Sequence, residues 1–316
     1  RDDVESRGLG DVYKRQQYIL SYIKIRHVIT KDGKDVNMNV KLIAVDMDGT
    51  FLTNNNEYDQ ERFTRQYEFM KEKGIHFVVA SGNQYYQLRS FFPDIHNELA
   101  FIAENGAYIV DQGKDVFVAK LAKEDIQTVL KVVNQYPEVE KIVCGRKSAY
   151  ISKYIDEDFY NTMNFYYHRL AKVDNFDDFD DTIFKIYLHC SKDNFETILT
   201  ELKEKIGHIM TPVDCGHFGI DLIIPGINKA HGINLLMERW KISDAETMAF
   251  GDSGNDLEML EQATYGFAMA NAKEAIKKIA DYTISSNEEH GVLEVVDWYI
   301  SCLLYTSPSP RDSTSS

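Results

Sequence analysis

Two aspartates one residue apart, Asp46 and Asp48, follow the apolar run Leu42 to Val45 and precede Gly49. Carboxylates are costly to bury, so a pair at the end of an apolar run calls for a cation or a reaction. The ordinary alternative is an Asx-turn, since Asp is a common turn residue. Matching chemistry stands at three other places. Ser81-Gly82 ends a second apolar run, Gly251-Asp-Ser-Gly-Asn-Asp256 ends a third, and Lys229 stands near the start of a helical segment. Together these supply carboxylates, one hydroxyl, glycine-bearing backbone and one cation. Hard oxygen donors without thiols suit Mg²⁺ rather than Zn²⁺. A carboxylate can attack phosphorus to give an aspartyl-phosphate. A second aspartate two positions away can protonate the leaving oxygen and later deprotonate water. A metal and a lysine would offset the charge that develops in between.

The elements that must position these groups read as an α/β fold. Leu42 to Val45 is predicted to be a strand buried on both faces, as in parallel sheets. Tyr58 to Lys73 places Phe63, Tyr67 and Met70 on one helical face, and Gly74 stops it. Ile75 to Ala80 is the next strand, so a right-handed βαβ crossover brings Ser81 to the edge holding Asp46 and Asp48. Ligands bind beyond the carboxyl ends of such strands. A helix from Asn83 ends before Pro93; a strand at Leu99 to Ala103 and a hairpin over Tyr108 to Leu121 follow.

From residue 122 the pattern changes. Helices are expected at Lys123 to Tyr136, Asp156 to Tyr167 and Asp193 to Ile206. Strands are expected at Lys141 to Cys144, Ala149 to Ser152, Ile183 to Cys190, Ile209 to Val213 and Phe218 to Ile223. This reads as an α+β cap inserted at 122–221. The aspartate-rich Asp174 to Asp181 reads as a solvated acidic turn or short helix rather than a metal site. The βα alternation then resumes, with helix Asn228 to Trp240, strand Glu246 to Phe250, a helix through Gln262, strand Gly266 to Met269, helix Lys273 to Ala280, strand Tyr282 to Ile284 and helix Gly291 to Ile300. The core is therefore expected at 38–121 and 222–302, as a Rossmann-like doubly wound parallel sheet. Residues 1–37 and 303–316 look foreign to the domain and resemble translated cloning or adapter sequence.

Composition narrows the function classes. With 44% hydrophobic and 12% aromatic residues in 316, the chain can bury a sizeable core. A formal net charge of −15 argues against nucleic-acid or anionic-membrane partners, so a phosphate site must carry its own positive charge. Cys144, Cys190, Cys215 and Cys302 show no CxxC spacing, which points to reduced thiols and a cytoplasmic location. No apolar run approaches the roughly 18 residues of a membrane span.

The motifs Asp46-Met-Asp-Gly-Thr50, Ser81-Gly82, Lys229 and Gly251-Asp-x-x-Asn-Asp256 resemble the four motifs of the haloacid dehalogenase superfamily of phosphatases. The insertion resembles the type 2B cap of its Cof-like branch. Ala80-Ser-Gly-Asn-Gln-Tyr-Tyr-Gln-Leu88, Ala103-Glu-Asn-Gly-Ala107, Asp221-Leu-Ile-Ile-Pro-Gly226 and Asn228-Lys-Ala230 look closest to bacterial sugar phosphatases of that branch. Asn83 departs from the commoner pattern, in which Arg stands there. The resemblance implies a Mg²⁺-dependent phosphomonoesterase acting on sugar phosphates or similar small phosphorylated metabolites. A flavin-precursor, nucleotide or pyridoxal phosphate phosphatase, or a phosphotransferase or phosphomutase, is the alternative. It implies Asp46 as nucleophile and Asp48 as general acid and base. The metal would be held by the side chains of Asp46 and Asp252 and the carbonyl of Asp48. Ser81, Gly82, Lys229 and Asn255 would hold the phosphoryl group, with Thr50 and Asp256 supporting.

Plainer roles compete for several of these residues. Ser81 can cap a following helix. Asn255 or Asp256 can be the N-cap of a strand-to-helix turn. His231 and His217 lack a third ligand at Zn²⁺ spacing and read as structural. Lys229 at a helix start opposes the macrodipole, which favours a functional reason. A receiver-type phospho-acceptor needs neither Asp48 nor a cap. Substrate choice is expected to sit on cap loops such as Cys144 to Ser148 and Cys215 to Phe218.

Overall fold

The structure, a computed structural model, describes residues 38–177, 180–216 and 218–306. The segments 1–37 and 307–316 set aside above lie outside the described residues, as does His217. The first sheet starts with β1 (Leu42–Val45), β2 (His76–Ala80), β3 (Ala100–Ala103), β4 (Tyr108–Asp111) and β5 (Lys114–Val118). The second is built from β6 (Glu140–Gly145), β7 (Ala149–Ser152), β8 (Leu170–Val173), β9 (Ile183–His189), β10 (Thr211–Gly216) and β11 (Gly219–Ile223). Then β12 (Thr247–Gly251), β13 (Tyr265–Met269) and β14 (Tyr282–Ile284) return to the first.

The first sheet has the order β14-β13-β12-β1-β2-β3-β4-β5. The pairs from β14 to β3 are parallel and the β3-β4-β5 edge is antiparallel. From β3 through β1 to β14 this is the doubly wound order, and the winding reverses between β1 and β12, where such sheets bind ligands. Every residue of β1 is buried. Full burial of a Val, Leu or Ile side chain contributes about 1.5–3 kcal/mol, so the strand that carries Asp46 is among the most firmly held in the sheet.

Helix Gln60–Glu72 starts where Asp59 accepts a hydrogen bond from the Arg62 amide at 2.9 Å, and it buries Phe63, Tyr67 and Met70. Phe63 packs on Phe77 of β2 and on Phe51, with ring centroids 4.8 and 5.2 Å apart. That contact fastens the segment after Asp48 to the same core.

The second sheet has the order β10-β11-β9-β6-β7-β8 and is antiparallel except at β7-β8. Helices Lys123–Val133 and Phe195–Ile206 bury Val129, Leu130, Val133, Leu199, Leu202 and Ile206 in a hydrophobic cluster of its own.

Three details differ from the sequence expectations. Strand β8 was not anticipated, because Leu170-Ala-Lys-Val173 is a short edge strand whose side chains are only partly buried. The acidic turn is bonded rather than merely solvated: Asp181 accepts from the amides of Lys147 and Ser148 and from the Tyr150 hydroxyl. Asp178 and Phe179 within it lie outside the described residues. The last helix runs to Thr306, past the expected Ile300, and Leu303 still packs against the core. Among the described residues no helix is long and apolar enough to cross a membrane.

Candidate active site

Asp46 leaves β1 with its amide donating to the Phe250 carbonyl of β12 at 3.1 Å, and Asp252 follows the end of β12. The two carboxylates therefore flank the point where the winding reverses. Their spacing follows from parallel pairing in register, Val45 opposite Phe250. The amides of Phe51 and Leu52 fold back onto the Met47 carbonyl at 3.0 and 2.9 Å, closing a turn over Asp48 and Gly49. Gly49 has φ +76°, and a β-carbon there would sit 2.7 Å from Asp252 Oδ2. Glycine is required on both counts.

Lys229 is the first residue of helix Lys229–Trp240 and is fully buried. Its Nζ donates to Asp46 Oδ1 at 2.5 Å and to Asp256 Oδ1 at 2.6 Å. Burial alone would discharge this ammonium, but Asp256 and then Asp46 outweigh it and hold its pKa above the usual range. The other oxygen of Asp256 accepts from the amides of Asp252 and Ser253, each at 3.0 Å. Asp256 thus closes a capping box with Ser253. Ser253 caps the short turn Gly254–Asp256. Asp256 stands at the N-cap position of the helix Leu257–Gln262 that follows, one of the two positions suggested by the sequence, with its side chain binding upstream backbone and lysine instead.

Asp46, Asp252 and Asp256 bring carboxylate oxygens within 4.8 Å of one another. Burial, and next the charge of Asp256, pushes Asp46 well above the usual carboxylate range. The same two causes raise Asp252 to about 6. Thr50 Oγ1 donates to Asp252 Oδ1 at 3.0 Å and opposes that rise. A crowded set of hard oxygens with excess negative charge fits a divalent cation such as Mg²⁺. Since both oxygens of Asp256 are taken, the side chains available to a cation are Asp46 and Asp252.

Ser81 is buried, and its Oγ accepts from the Asn83 amide at 3.1 Å. It closes a tight turn and does not cap the helix, which starts at Tyr85 behind Gln84. Asp48 is exposed, and its Oδ2 accepts from Asn83 Nδ2 at 2.6 Å. Asn255 Oδ1 accepts from Ser253 Oγ at 2.6 Å, and Asn255 Nδ2 donates to Asn105 Oδ1 at 3.0 Å. Eight of the nine residues singled out from the sequence lie on the turns that follow β1, β2 and β12, and the ninth, Lys229, opens a helix and reaches them with its side chain. His231 is not among the acidic groups: it packs edge-on to Phe117 with centroids 5.2 Å apart.

The second sheet reaches the same place. β10 packs against the turn Gly254–Asp256, and Asp214 pairs with Lys273 at 3.4 Å. The strand that ends in Cys215-Gly216 thus adjoins the site, and His217 lies outside the described residues. In Cys144 to Ser148, by contrast, Arg146 pairs with Asp115 and Lys147 with Asp180. Burial, and then the negative charge of Asp48, raises the hydroxyl of Tyr166, whose ring is 38% exposed. Asn105, which accepts from Asn255, escaped the sequence reading as a site residue. The Glu-Asn-Gly at the end of the third strand was the available signal for Asn105.

Comparison with known proteins agrees with the geometry. The family model for haloacid dehalogenase-like hydrolases matches residues 43–296. The chain is 52% identical over 260 residues to the 5-amino-6-(5-phospho-D-ribitylamino)uracil phosphatase YbjI of Escherichia coli (strain K12), covering 82% of this chain and 96% of that protein. It is 24% identical over 268 residues to the phosphatase of the same name, YitU, of Bacillus subtilis (strain 168), covering 82% and 97%. The crystal structure of SMU.1108c from Streptococcus mutans UA159 superposes with a TM-score of 0.79 at 36% identity, covering 83% of this chain and 99% of that one. A parallel sheet with paired aspartates at its winding reversal, an inserted second sheet and a family match over most of the chain agree: this protein belongs to the haloacid dehalogenase-like hydrolases and is a Cof-like phosphatase of that superfamily.

Proposed function

We propose that the protein is a Mg²⁺-dependent phosphomonoesterase that works through an aspartyl-phosphate on Asp46, and that its substrate is a phosphorylated flavin precursor of the ribitylaminouracil type. The observation that carries the chemistry is the Asp46–Lys229–Asp256 relay beside Asp252. Lys229 holds Asp46 Oδ1, which fixes the carboxylate and leaves Oδ2 to attack phosphorus. The ammonium opposes the burial that favours the protonated, non-nucleophilic form. Asp256 is pinned by two amides and in turn pins Lys229. When bound between Asp46, Asp252 and the Asp48 carbonyl, Mg²⁺ would neutralise phosphoryl oxygens as charge shifts onto them.

Asp48 is two residues from the nucleophile and solvent-accessible, as suits a group that gives a proton to the leaving oxygen and takes one from water. Asn83 orients its carboxylate. Ser81, Gly82 and Asn255 would bind the remaining phosphoryl oxygens. We assign residues 38–121 and 222–302 to the catalytic core and 122–221 to a cap that reads the leaving group.

The substrate choice rests on the 52% identical relative, whose name specifies the ribitylaminouracil phosphate. The broader expectation of a sugar phosphate is close chemistry, because a ribityl phosphate is a phosphorylated sugar alcohol. A phosphate-release screen over flavin precursors, sugar phosphates, nucleotides and pyridoxal phosphate, with and without Mg²⁺, tests this. Highest kcat/KM on the ribitylaminouracil phosphate supports the proposal, and preference for a free sugar phosphate overturns the substrate.

A further inference from the structure

A second buried ion cluster lies where the two sheets meet, and the chemistry above does not use it. Lys185, mid-strand in β9, is only 2% exposed. Its Nζ is 2.6 Å from Glu104 Oε2 and 3.4 Å from Asp221 Oδ1, and it donates to the Gly82 carbonyl at 2.7 Å. Asp221, on β11, accepts from Asn105 Nδ2 at 2.8 Å, while Asn105 Oδ1 accepts from Asn255. Lys185 and Asp221 thus belong to the second sheet, and every other group in the cluster belongs to loops of the first.

Burying such ions costs several kcal/mol each, and well-packed apolar residues often stabilise as much. Stability alone is therefore a weak reason for the cluster. The backbone supplies an independent sign. Glu104 and Asn105 have φ of +53° and +56°, ahead of Gly106 at +93°. Left-handed conformations cost a non-glycine residue roughly 1–2 kcal/mol, and such strain gathers at functional sites. Here it turns the Asn105 side chain to join Asp221 and Asn255.

We propose that Lys185 and Asp221 are positioning residues that let the second sheet set the two loops binding the phosphoryl group. One arm runs from Lys185 to the Gly82 carbonyl. The peptide plane is rigid, so fixing that carbonyl fixes the Asn83 amide on its far side, which donates to Ser81 Oγ. The other arm runs from Asp221 through Asn105 to Asn255. Gly82 leaves little slack, since a β-carbon there would sit 3.1 Å from Asn105 Oδ1. The inference rests on the reading of Ser81, Gly82 and Asn255 as phosphoryl ligands.

The test uses the full chain with Mg²⁺ and p-nitrophenyl phosphate, whose small leaving group makes few demands on the second sheet, and orthovanadate as a phosphoryl mimic. Lys185→Met is expected to lower kcat by about tenfold to 100-fold, the scale set by small misplacements in an active site. The inhibition constant for orthovanadate should rise in parallel at temperatures well below unfolding. Lys185→Arg should recover most of the loss. Asn105→Gly cuts the second arm in a residue type that tolerates positive φ, and it should lower kcat even if Lys185→Met does not fold. Folded variants with lower melting temperatures but wild-type kcat and vanadate affinity would overturn the proposal. A wild-type protein that neither hydrolyses the ester nor binds vanadate would instead overturn the phosphatase reading beneath it.

Discussion

Lys229 Nζ sits 2.5 Å from Asp46 Oδ1 while also holding Asp256 at 2.6 Å, so one buried ammonium is shared by two carboxylates from the loops after β1 and β12, on either side of the winding reversal. Lys229→Met is expected to lower kcat by about 10²–10³-fold, the cost of losing one preorganised donor. It should also destabilise the fold by about 3–5 kcal/mol, because two buried carboxylates are left without their cation. Steady-state kinetics and urea unfolding measure both effects. Unchanged stability would contradict the shared-ammonium account.

The position of Asp48 predicts a dependence on the leaving group. In Asp48→Asn, hydrolysis of an alkyl phosphate such as a ribityl or sugar phosphate should fall by about 10²–10⁴-fold. Hydrolysis of p-nitrophenyl phosphate, whose leaving group needs little proton transfer, should fall far less in its first step. A burst of nitrophenolate measures that step, and equal losses on both esters would argue against an acid role.

The raised carboxyls predict how Mg²⁺ binding depends on pH. Asp252 titrates at about 6 against a reference of 3.8, because of burial and then Asp256. In that window the metal-free folded protein holds more protons than the unfolded chain. This group's contribution to stability therefore falls as pH rises from 3.8 to 6. A cation on Asp46 and Asp252 reverses the repulsion, and at a hundredfold excess over its Kd it stabilises by about 2.7 kcal/mol. Thermal unfolding should show a Mg²⁺-dependent rise near neutral pH that shrinks as pH is lowered through about 6. An equal rise at both ends of that range would contradict the site.

Gly49 offers a test of the turn. Gly49→Ala places a β-carbon 2.7 Å from Asp252 Oδ2 at a φ of +76°. The expected result is a loss of about 1–3 kcal/mol in stability together with weaker Mg²⁺ dependence of kcat. Calorimetry and a Mg²⁺ titration of phosphate release report the two. A wild-type Mg²⁺ titration would show that Asp252 does not hold the metal from this position.

The loops of the candidate site were legible because each carboxylate or hydroxyl directly follows an apolar run. A buried parallel strand places whatever follows it at the sheet's carboxyl edge, so Asp46, Ser81 and Asp252 could be brought together from spacing alone. Lys229 was legible because a cation at a helix start needs a reason, and Asp46 and Asp256 supply it. Lys185 was not legible: within Ile183-Phe-Lys-Ile186 it reads as a solvent-facing alternation, and its partners Gly82, Glu104 and Asp221 lie far away in the chain. Strand β8 failed for a related reason, as its pairing with β7 is decided by the sheet and not by its own four residues.

The most direct measurement of the central claim is acid-quench capture of the phosphoenzyme in wild type, Asp48→Asn and Asp46→Asn, with the modified residue located by peptide mass spectrometry. The account predicts a hydroxylamine-sensitive acyl phosphate on Asp46 that accumulates in Asp48→Asn, and none in Asp46→Asn, which should also release no phosphate. Phosphate release at the wild-type rate by Asp46→Asn, or a phosphoryl group on another residue, would contradict it.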